Sequence, residues 1–220
     1  MSLDRRPLLC LVTSRQRLTP DARTVRSEVA ALDRWLDEAM GRVDLIQIRE
    51  RDLDTRVLVP LVRRVSARAG STTVVVNDRA DVALAAGAGG LHARAAGPPL
   101  VRVRPLGPAG WTLGRSVHSV AEVLADPAAD YLIFGTVFPS ASKGPGVPGQ
   151  GLGALTAAVR ASSVPVLAIG GIDPLRAGQC LAAGAAGVAA IGLFLPAGRA
   201  TGALGIVRAA EALRELQLQT

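Results

Sequence analysis

The chain has 220 residues, of which 49% are hydrophobic and only 3% aromatic, and its formal net charge is +7. A core of this size must be built from Ala, Val, Leu and Ile, which suits a buried parallel sheet covered by helices. The arginines that carry the charge are scattered and have no aromatic stacking platforms beside them; this argues against a nucleic-acid surface and leaves a membrane surface or small anions as the partners that the charge allows.

In chain order, short β-branched runs alternate with helical patterns. Strands are predicted at Leu8–Thr13, Val43–Arg49, Thr72–Asn77, Gly90–His92, Thr112–His118, Tyr131–Phe138, Val166–Gly170 and Val188–Phe194. Helices are predicted at Thr24–Met40, Thr55–Ala69, Ala80–Ala86, Val120–Ala125, Leu152–Ala161, Pro174–Ala183 and Ala203–Leu216. Between strands four and five, Gly97-Pro-Pro and Pro105-Leu-Gly-Pro break the helical pattern, so that helix is short or missing. Eight strands with intervening helices predict a single-domain α/β fold over residues 1–220, a (β/α)8 TIM barrel with one degenerate helix. A doubly wound open sheet is the alternative.

Cys10 and Cys180 lie far apart and lack metal spacing, which fits a reducing compartment. The uncharged run between Arg176 and Arg199 is broken by Gly184, Gly187, Gly192 and Pro196. It reads as a helix end, a turn and a buried strand rather than a membrane span. No signal peptide is visible at the N-terminus, and a cytoplasmic location is expected. Oligomeric state stays open, a homo-oligomer included.

A barrel builds its active site at the C-terminal ends of its strands. Strand two ends Gln47-Ile-Arg49-Glu-Arg51, where alternation places Gln47, Arg49 and Arg51 on one face. Such a trio reads as an anion clamp or as an interior ion network. Strand three ends Asn77-Asp78-Arg79, where Asp78 could cap the next helix or ligate Mg²⁺. Both histidines of the chain end strands: His92 after strand four, and His118 in Gly114-Arg-Ser-Val-His-Ser119 after strand five. Histidine exchanges protons near neutral pH, so His118 is the stronger catalytic candidate and His92 the second. Gly170 and Gly171 after strand seven, with Gly192 and Leu193 after strand eight, offer backbone N–H groups to a phosphate. Of twenty-five basic residues only Lys143 is a lysine, and it follows Ser140 and Ser142 in the loop after strand six. A compact, mobile cation there suits an anion.

Taken in order, Gln47-x-Arg49-x-Arg51, Val76-Asn-Asp-Arg79, Gly114-Arg-Ser-Val-His-Ser119, Asp130-Tyr-Leu-Ile-Phe-Gly-Thr-Val-Phe138, Ser140-x-Ser-Lys143 and Ala168-Ile-Gly-Gly-Ile172 resemble the thiamin phosphate synthase and thiazole tautomerase superfamily. The resemblance implies an enzyme that binds a small phosphorylated thiazole, with no nucleic-acid or membrane partner. It adds Ser116 and Asn77 to the substrate-binding set. The synthase branch joins an aminopyrimidine pyrophosphate to a thiazole phosphate with Mg²⁺. It implies one Asp from the strand-three motif, here Asp78, and a second after a strand-four motif. That second motif reads Leu91-His-Ala-Arg94-Ala-Ala-Gly97 and has no carboxylate, and the branch's lysine in the strand-two motif is Arg51. The strand-eight serine of both branches is Ile191.

The tautomerase branch needs no metal. The missing carboxylate therefore leads to the expectation of an isomerase that aromatises carboxythiazole phosphate, with His118 as acid–base. The alternatives are a thiamin phosphate synthase with Mg²⁺, and a non-catalytic sensor of a thiamin-pathway phosphate.

Overall fold

The computed structural model describes residues 7–140, 146, 148–195 and 210–215. Eight parallel strands close in sequence order into a barrel: β1 (Leu8–Val12), β2 (Leu45–Ile48), β3 (Thr73–Asn77), β4 (Gly90–Ala93), β5 (Thr112–Val117), β6 (Tyr131–Gly135), β7 (Val166–Ile169) and β8 (Gly187–Ala190). The expected TIM barrel is present, and the open sheet is excluded because β1 pairs with both β2 and β8. The helices are α1 (Arg15–Leu18), α2 (Val25–Ala39), α3 (Thr55–Ala67), α4 (Ala80–Ala86), α5 (Leu100–Val103), α6 (Val120–Ala125), α7 (Gly151–Ala161) and α8 (Pro174–Ala182). Residues 210–215 are helical as well.

Side-chain alternation sorts the strands into two cores. Leu8, Cys10, Val12, Leu45, Val75, Tyr131, Ile133 and Leu167 fill the barrel interior. Leu9, Leu11, Ile46, Ile48, Val74, Val76, Leu132 and Phe134 face outward onto helix residues such as Leu32, Leu36, Leu61 and Val65. Local signals start the helices where expected. Thr24 caps α2, Ser119 caps α6, and Asp173 accepts the Arg176 N–H ahead of Pro174 to start α8.

The degenerate segment between β4 and β5 is the four-residue α5 followed by a 3-10 turn, Arg104–Leu106. Arg115 of β5 holds it from below. This buried guanidinium bonds Asp126, the Arg94 carbonyl at 2.8 Å and the Pro98 carbonyl at 2.5 Å. Where a full helix would bury apolar side chains, one arginine ties down bare backbone.

Some expectations change in detail, and strand six stops at Gly135 rather than Phe138. Strand two stops at Ile48, so alternation does not carry through to Arg51. Strand eight stops at Ala190 and gives way to a 3-10 turn, Gly192–Phe194. Helix α1 was not foreseen. It has a single turn, too short to show a periodic pattern. Among the described residues, no helix is long and apolar enough to cross a membrane.

Candidate active site

The polar residues at the C-terminal rim form two groups. The first lies over β2, β3 and β4. Gln47 points into the barrel mouth and donates to Asn77 Oδ1 at 2.8 Å. Asn77 donates to Asp78 Oδ2 at 3.0 Å, and Asp78 Oδ1 accepts the Arg94 backbone N–H at 2.7 Å. This chain of bonds crosses three strand ends. Asp78 adopts φ +58, a left-handed conformation that Asp tolerates better than most residues. It does not cap α4, whose first residue follows Arg79 with no side-chain cap.

Arg49 is half-buried at the same rim. Burial, and then the neighbouring positive charge of Arg51, hold its guanidinium below the usual arginine value. Among the described residues that guanidinium has no hydrogen-bond partner. Arg51 and Arg94 are exposed, and with Arg79, Asn77 and Asp78 they line a cavity of about 290 Å³. Glu50 borders this cavity but is already spent. Both its oxygens accept from Arg15, through the backbone N–H at 3.0 Å and Nη1 at 3.0 Å. Arg15 also bonds Asp52 and Glu28. Hydrogen bonding to Asp52, working against a burial penalty, raises the Arg15 guanidinium further above its ordinary value. This ion cluster, buried at Arg15 and Glu50, locks the β1 and β2 loops together.

The second group lies over β6, β7 and β8. A cavity of about 180 Å³ is lined by Ser140, Gly170, Gly171, Ile191, Gly192 and Arg17, among others. Gly170 has φ +105 and Gly171 has φ +62, and a Cβ on Gly171 would stand 2.5 Å from the Pro139 carbonyl oxygen. Only glycine lets the two loops meet so closely. Arg176 bonds the Gly171 carbonyl at 2.9 Å and stacks over Phe138, which fixes this loop. The 3-10 turn Gly192–Phe194 presents its first N–H groups, at Gly192 and Leu193, without partners inside the turn. The Leu193 side chain packs back on the outer core.

Arg17, on the unforeseen α1, completes this cavity. Its Nη2 stands 3.4 Å from where a Cβ on Gly192 would be. Ile191, where the resemblance implied a serine, lines the same cavity as Arg17. Ser142 and Lys143 lie outside the described residues.

The two histidines part company. His92 is fully buried in the barrel mouth, with Nδ1 3.0 Å from Tyr131 Oη and Nε2 2.8 Å from Ser116 Oγ. Both partners are hydroxyls, so a neutral ring is satisfied at both nitrogens. Burial, with Arg115 nearby, pushes its pKa down to about 3. Gly114 makes the room, because a Cβ there would lie 2.5 Å from His92 Nδ1 and 2.2 Å from the Tyr131 ring. His118 is exposed at the end of β5. Its backbone N–H donates to Glu122 at 2.7 Å, and Nδ1 donates to the Gly135 carbonyl. A proton on Nδ1 leaves Nε2 as the acceptor of the neutral ring.

A family model described as thiamine monophosphate synthase, TMP-TENI, matches residues 9–194. The chain belongs to this family. It is 39% identical over 175 residues to a thiamine-phosphate synthase of Methanoculleus marisnigri, covering 77% of this chain and 82% of that one. It is 33% identical to a thiamine-phosphate synthase of Chlorobium luteolum, covering 84% of each. A solved structure titled thiamine phosphate pyrophosphorylase, from Pyrococcus furiosus, superposes with a TM-score of 0.76 at 29% identity, over 99% of this chain and 98% of that one.

These relatives overturn the expectation of an isomerase closer to the tautomerase branch. They carry the name of the synthase and stand at 33–41% identity. The expectation rested on the missing carboxylate after His92. That absence decides the branch only if a carboxylate-held divalent cation is what must neutralise the pyrophosphate.

The synthase branch implies Mg²⁺, and the donors here do not fit a protein-held ion. Among the described residues over β2 to β4, Asp78 is the one carboxylate not bonded to an arginine side chain, and both its oxygens already accept hydrogen bonds. Its cavity neighbours Arg51, Arg79 and Arg94 are cations. Among the described residues, no three His, Cys, Asp or Glu side chains gather as a metal seat. Mg²⁺ needs carboxylate and phosphate oxygens rather than guanidinium neighbours.

Proposed function

We propose that the chain is a thiamine-phosphate synthase, a transferase that couples hydroxymethylpyrimidine pyrophosphate with a thiazole phosphate and releases pyrophosphate. One observation carries this reading: the rim has two separate cavities, one lined by loop glycines and Arg17 and the other by Arg51, Arg79 and Arg94. A coupling of two phosphorylated substrates needs both.

The thiazole phosphate sits over β7 and β8. There Gly170, Gly171, Gly192 and Leu193 supply backbone N–H groups, Ser140 a hydroxyl and Arg17 a charged fork. The pyrophosphate sits over β2 to β4, against Arg49 and Arg51. Gln47, Asn77 and Ser116 line the mouth between them, where the pyrimidine ring rests. The bond from the methylene carbon to the pyrophosphate oxygen breaks with its electron pair on oxygen. The ring nitrogen of the thiazole supplies the pair for the new C–N bond. No proton is exchanged with the enzyme in that exchange of bonds. The chain's work is to hold the two reactants together and to stabilise the departing charge.

The test is to incubate the chain with both substrates, with and without Mg²⁺, and to follow thiamin phosphate and pyrophosphate. Equal amounts of both products are expected. No product at any Mg²⁺ concentration, and none without it, would reject the reading.

A further inference from the structure

The loop after β4 that lacks the carboxylate carries instead, three residues earlier, an arginine that the fold holds in place. Arg94 is gripped at both ends of its own residue: its N–H by Asp78 Oδ1 at 2.7 Å, its carbonyl by Arg115 Nη1 at 2.8 Å. Its side chain is exposed and lines the cavity shared with Arg51. Neither guanidinium has a carboxylate partner among the described residues. Half-buried Arg49 adds a third unpaired cation beside them. Arg79 also lines the cavity but is committed to Asp81 and Thr55. Arg51 and Arg94 on the cavity wall and Arg49 beside them face two carboxylates, Asp78 and the Glu50 already committed to Arg15, so this cluster of like charges suits a multiply charged anion.

We propose that Arg51, Arg94 and Arg49 hold the pyrophosphate of the pyrimidine substrate directly and neutralise it as it leaves, in the place of a carboxylate-held divalent cation. Asp78 then serves as a positioning residue that fixes the Arg94 backbone. Arginine suits this task because its planar fork binds two phosphate oxygens at once and stays charged. When the carbon–oxygen bond breaks, the electron pair passes to the pyrophosphate oxygen that these guanidinium groups face. The inference rests on the coupling reading above for the identity of the substrate, and makes a separate claim about metal.

Two measurements on the full chain test it. The first is calorimetric binding of inorganic pyrophosphate, with a chelator and with millimolar Mg²⁺, for the parent, Arg51→Gln and Arg94→Gln. The parent is expected to bind in chelator, with a Kd within about threefold of its Mg²⁺ value. Each substitution should weaken binding by about tenfold or more, as the loss of a charge-assisted bidentate contact does. Both side chains are exposed, and unchanged melting temperatures will show that the fold survives. Binding only when Mg²⁺ is added, or variants that bind like the parent, would overturn the proposal.

The second measurement is the coupling rate in chelator and in Mg²⁺, and comparable rates are expected. Coupling that needs Mg²⁺ would retire the arginine clamp and leave the synthase reading standing. Metal-free pyrophosphate binding with no coupling under either condition would retire the synthase reading and leave the clamp.

Discussion

Asp78 and Arg94 join the ends of β3 and β4 through a bond from the Arg94 backbone N–H to Asp78 Oδ1, 2.7 Å long. The other carboxylate oxygen accepts from Asn77 at 3.0 Å, so the two oxygens have two different donors. Asp78→Asn keeps the shape and tolerates the left-handed φ of +58. It also puts an NH₂ group where only an acceptor fits, facing either Asn77 or Arg94. The expected result is a fall in kcat/KM for the pyrophosphate substrate of about tenfold, equal to about 1.4 kcal/mol. The ratio of rates with and without Mg²⁺ should stay that of the parent, because a positioning residue alters geometry and not metal binding. A selective loss of the Mg²⁺ rate would identify Asp78 as a metal ligand instead.

His118 separates the two chemistries that the motifs suggested. Forming a C–N bond at the expense of a C–O bond moves no proton between substrate and enzyme. His118→Asn should therefore lower coupling by less than about tenfold, well short of the 10²-fold or more that losing a general acid–base costs. Steady-state assay of the variant with saturating substrates reads this directly. A loss above 10²-fold would show a proton transfer that the coupling scheme lacks.

The barrel was legible because its signals are local. Strand alternation, the Ser119 and Asp173 caps and the Gly170-Gly171 turn are each written within a few residues. The strand ends also placed Gln47, Asn77 and the glycines after β7 and β8 at one rim, whereas the bond from Gln47 to Asn77 shows only in the fold. What stayed hidden depends on partners far apart in sequence. Arg15 meets Glu50 across 35 residues, and only that contact shows why α1 sits where Arg17 can reach Gly192. Arg115 lies inside a motif that suggests chemistry, yet its guanidinium is buried and spent on Asp126 and loop carbonyls. His92 also looked available, and its burial between Tyr131 and Ser116 became visible only in the fold. The branch was misjudged for a related reason. A missing carboxylate can be read from sequence, but which cations face the same cavity is a spatial arrangement.

Arg17 is exposed, so replacing it should cost binding and not folding. Arg17→Gln is expected to raise KM for the thiazole phosphate by about tenfold while kcat stays within about twofold. That pattern marks a contact equally strong in the ground and transition states. The KM for the pyrimidine pyrophosphate should not move. If both KM values rise together, Arg17 acts on the whole rim and not on the β7–β8 cradle.

Arg115 carries the opposite expectation. Arg115→Met keeps much of the volume but strands Asp126, which also accepts the Leu100 N–H, as a buried charge without its partner. Breaking a buried pair on one side costs about 3–5 kcal/mol. Urea unfolding should show a lower midpoint with an unchanged slope. The double variant Arg115→Met with Asp126→Leu should recover part of the loss, as removing both charges does. No recovery would mean that the carbonyls of Arg94 and Pro98, and not Asp126, are the partners that matter.

His92 sets a pH dependence of stability that can be separated from that of the carboxylates. Its pKa is about 3 in the fold against an ordinary 6.5, with burial the larger cause. The unfolded chain therefore takes up a proton between pH 6.5 and 3 that the folded chain refuses. Stability is fully present above the unfolded value and is lost as pH falls, by about 1.4 kcal/mol per unit within that window. Asp33, Asp52 and Asp81 are held below their ordinary 3.8 and add their own loss only at lower pH. Urea midpoints measured from pH 7 to pH 4.5 isolate the histidine. His92→Gln retains polar atoms for Tyr131 and Ser116 and should flatten the slope in that range, whatever its effect on stability at pH 7. A parent with flat stability down to pH 4.5 would mean that His92 takes up its proton inside the fold, where Tyr131 and Ser116 would then both have to accept from it.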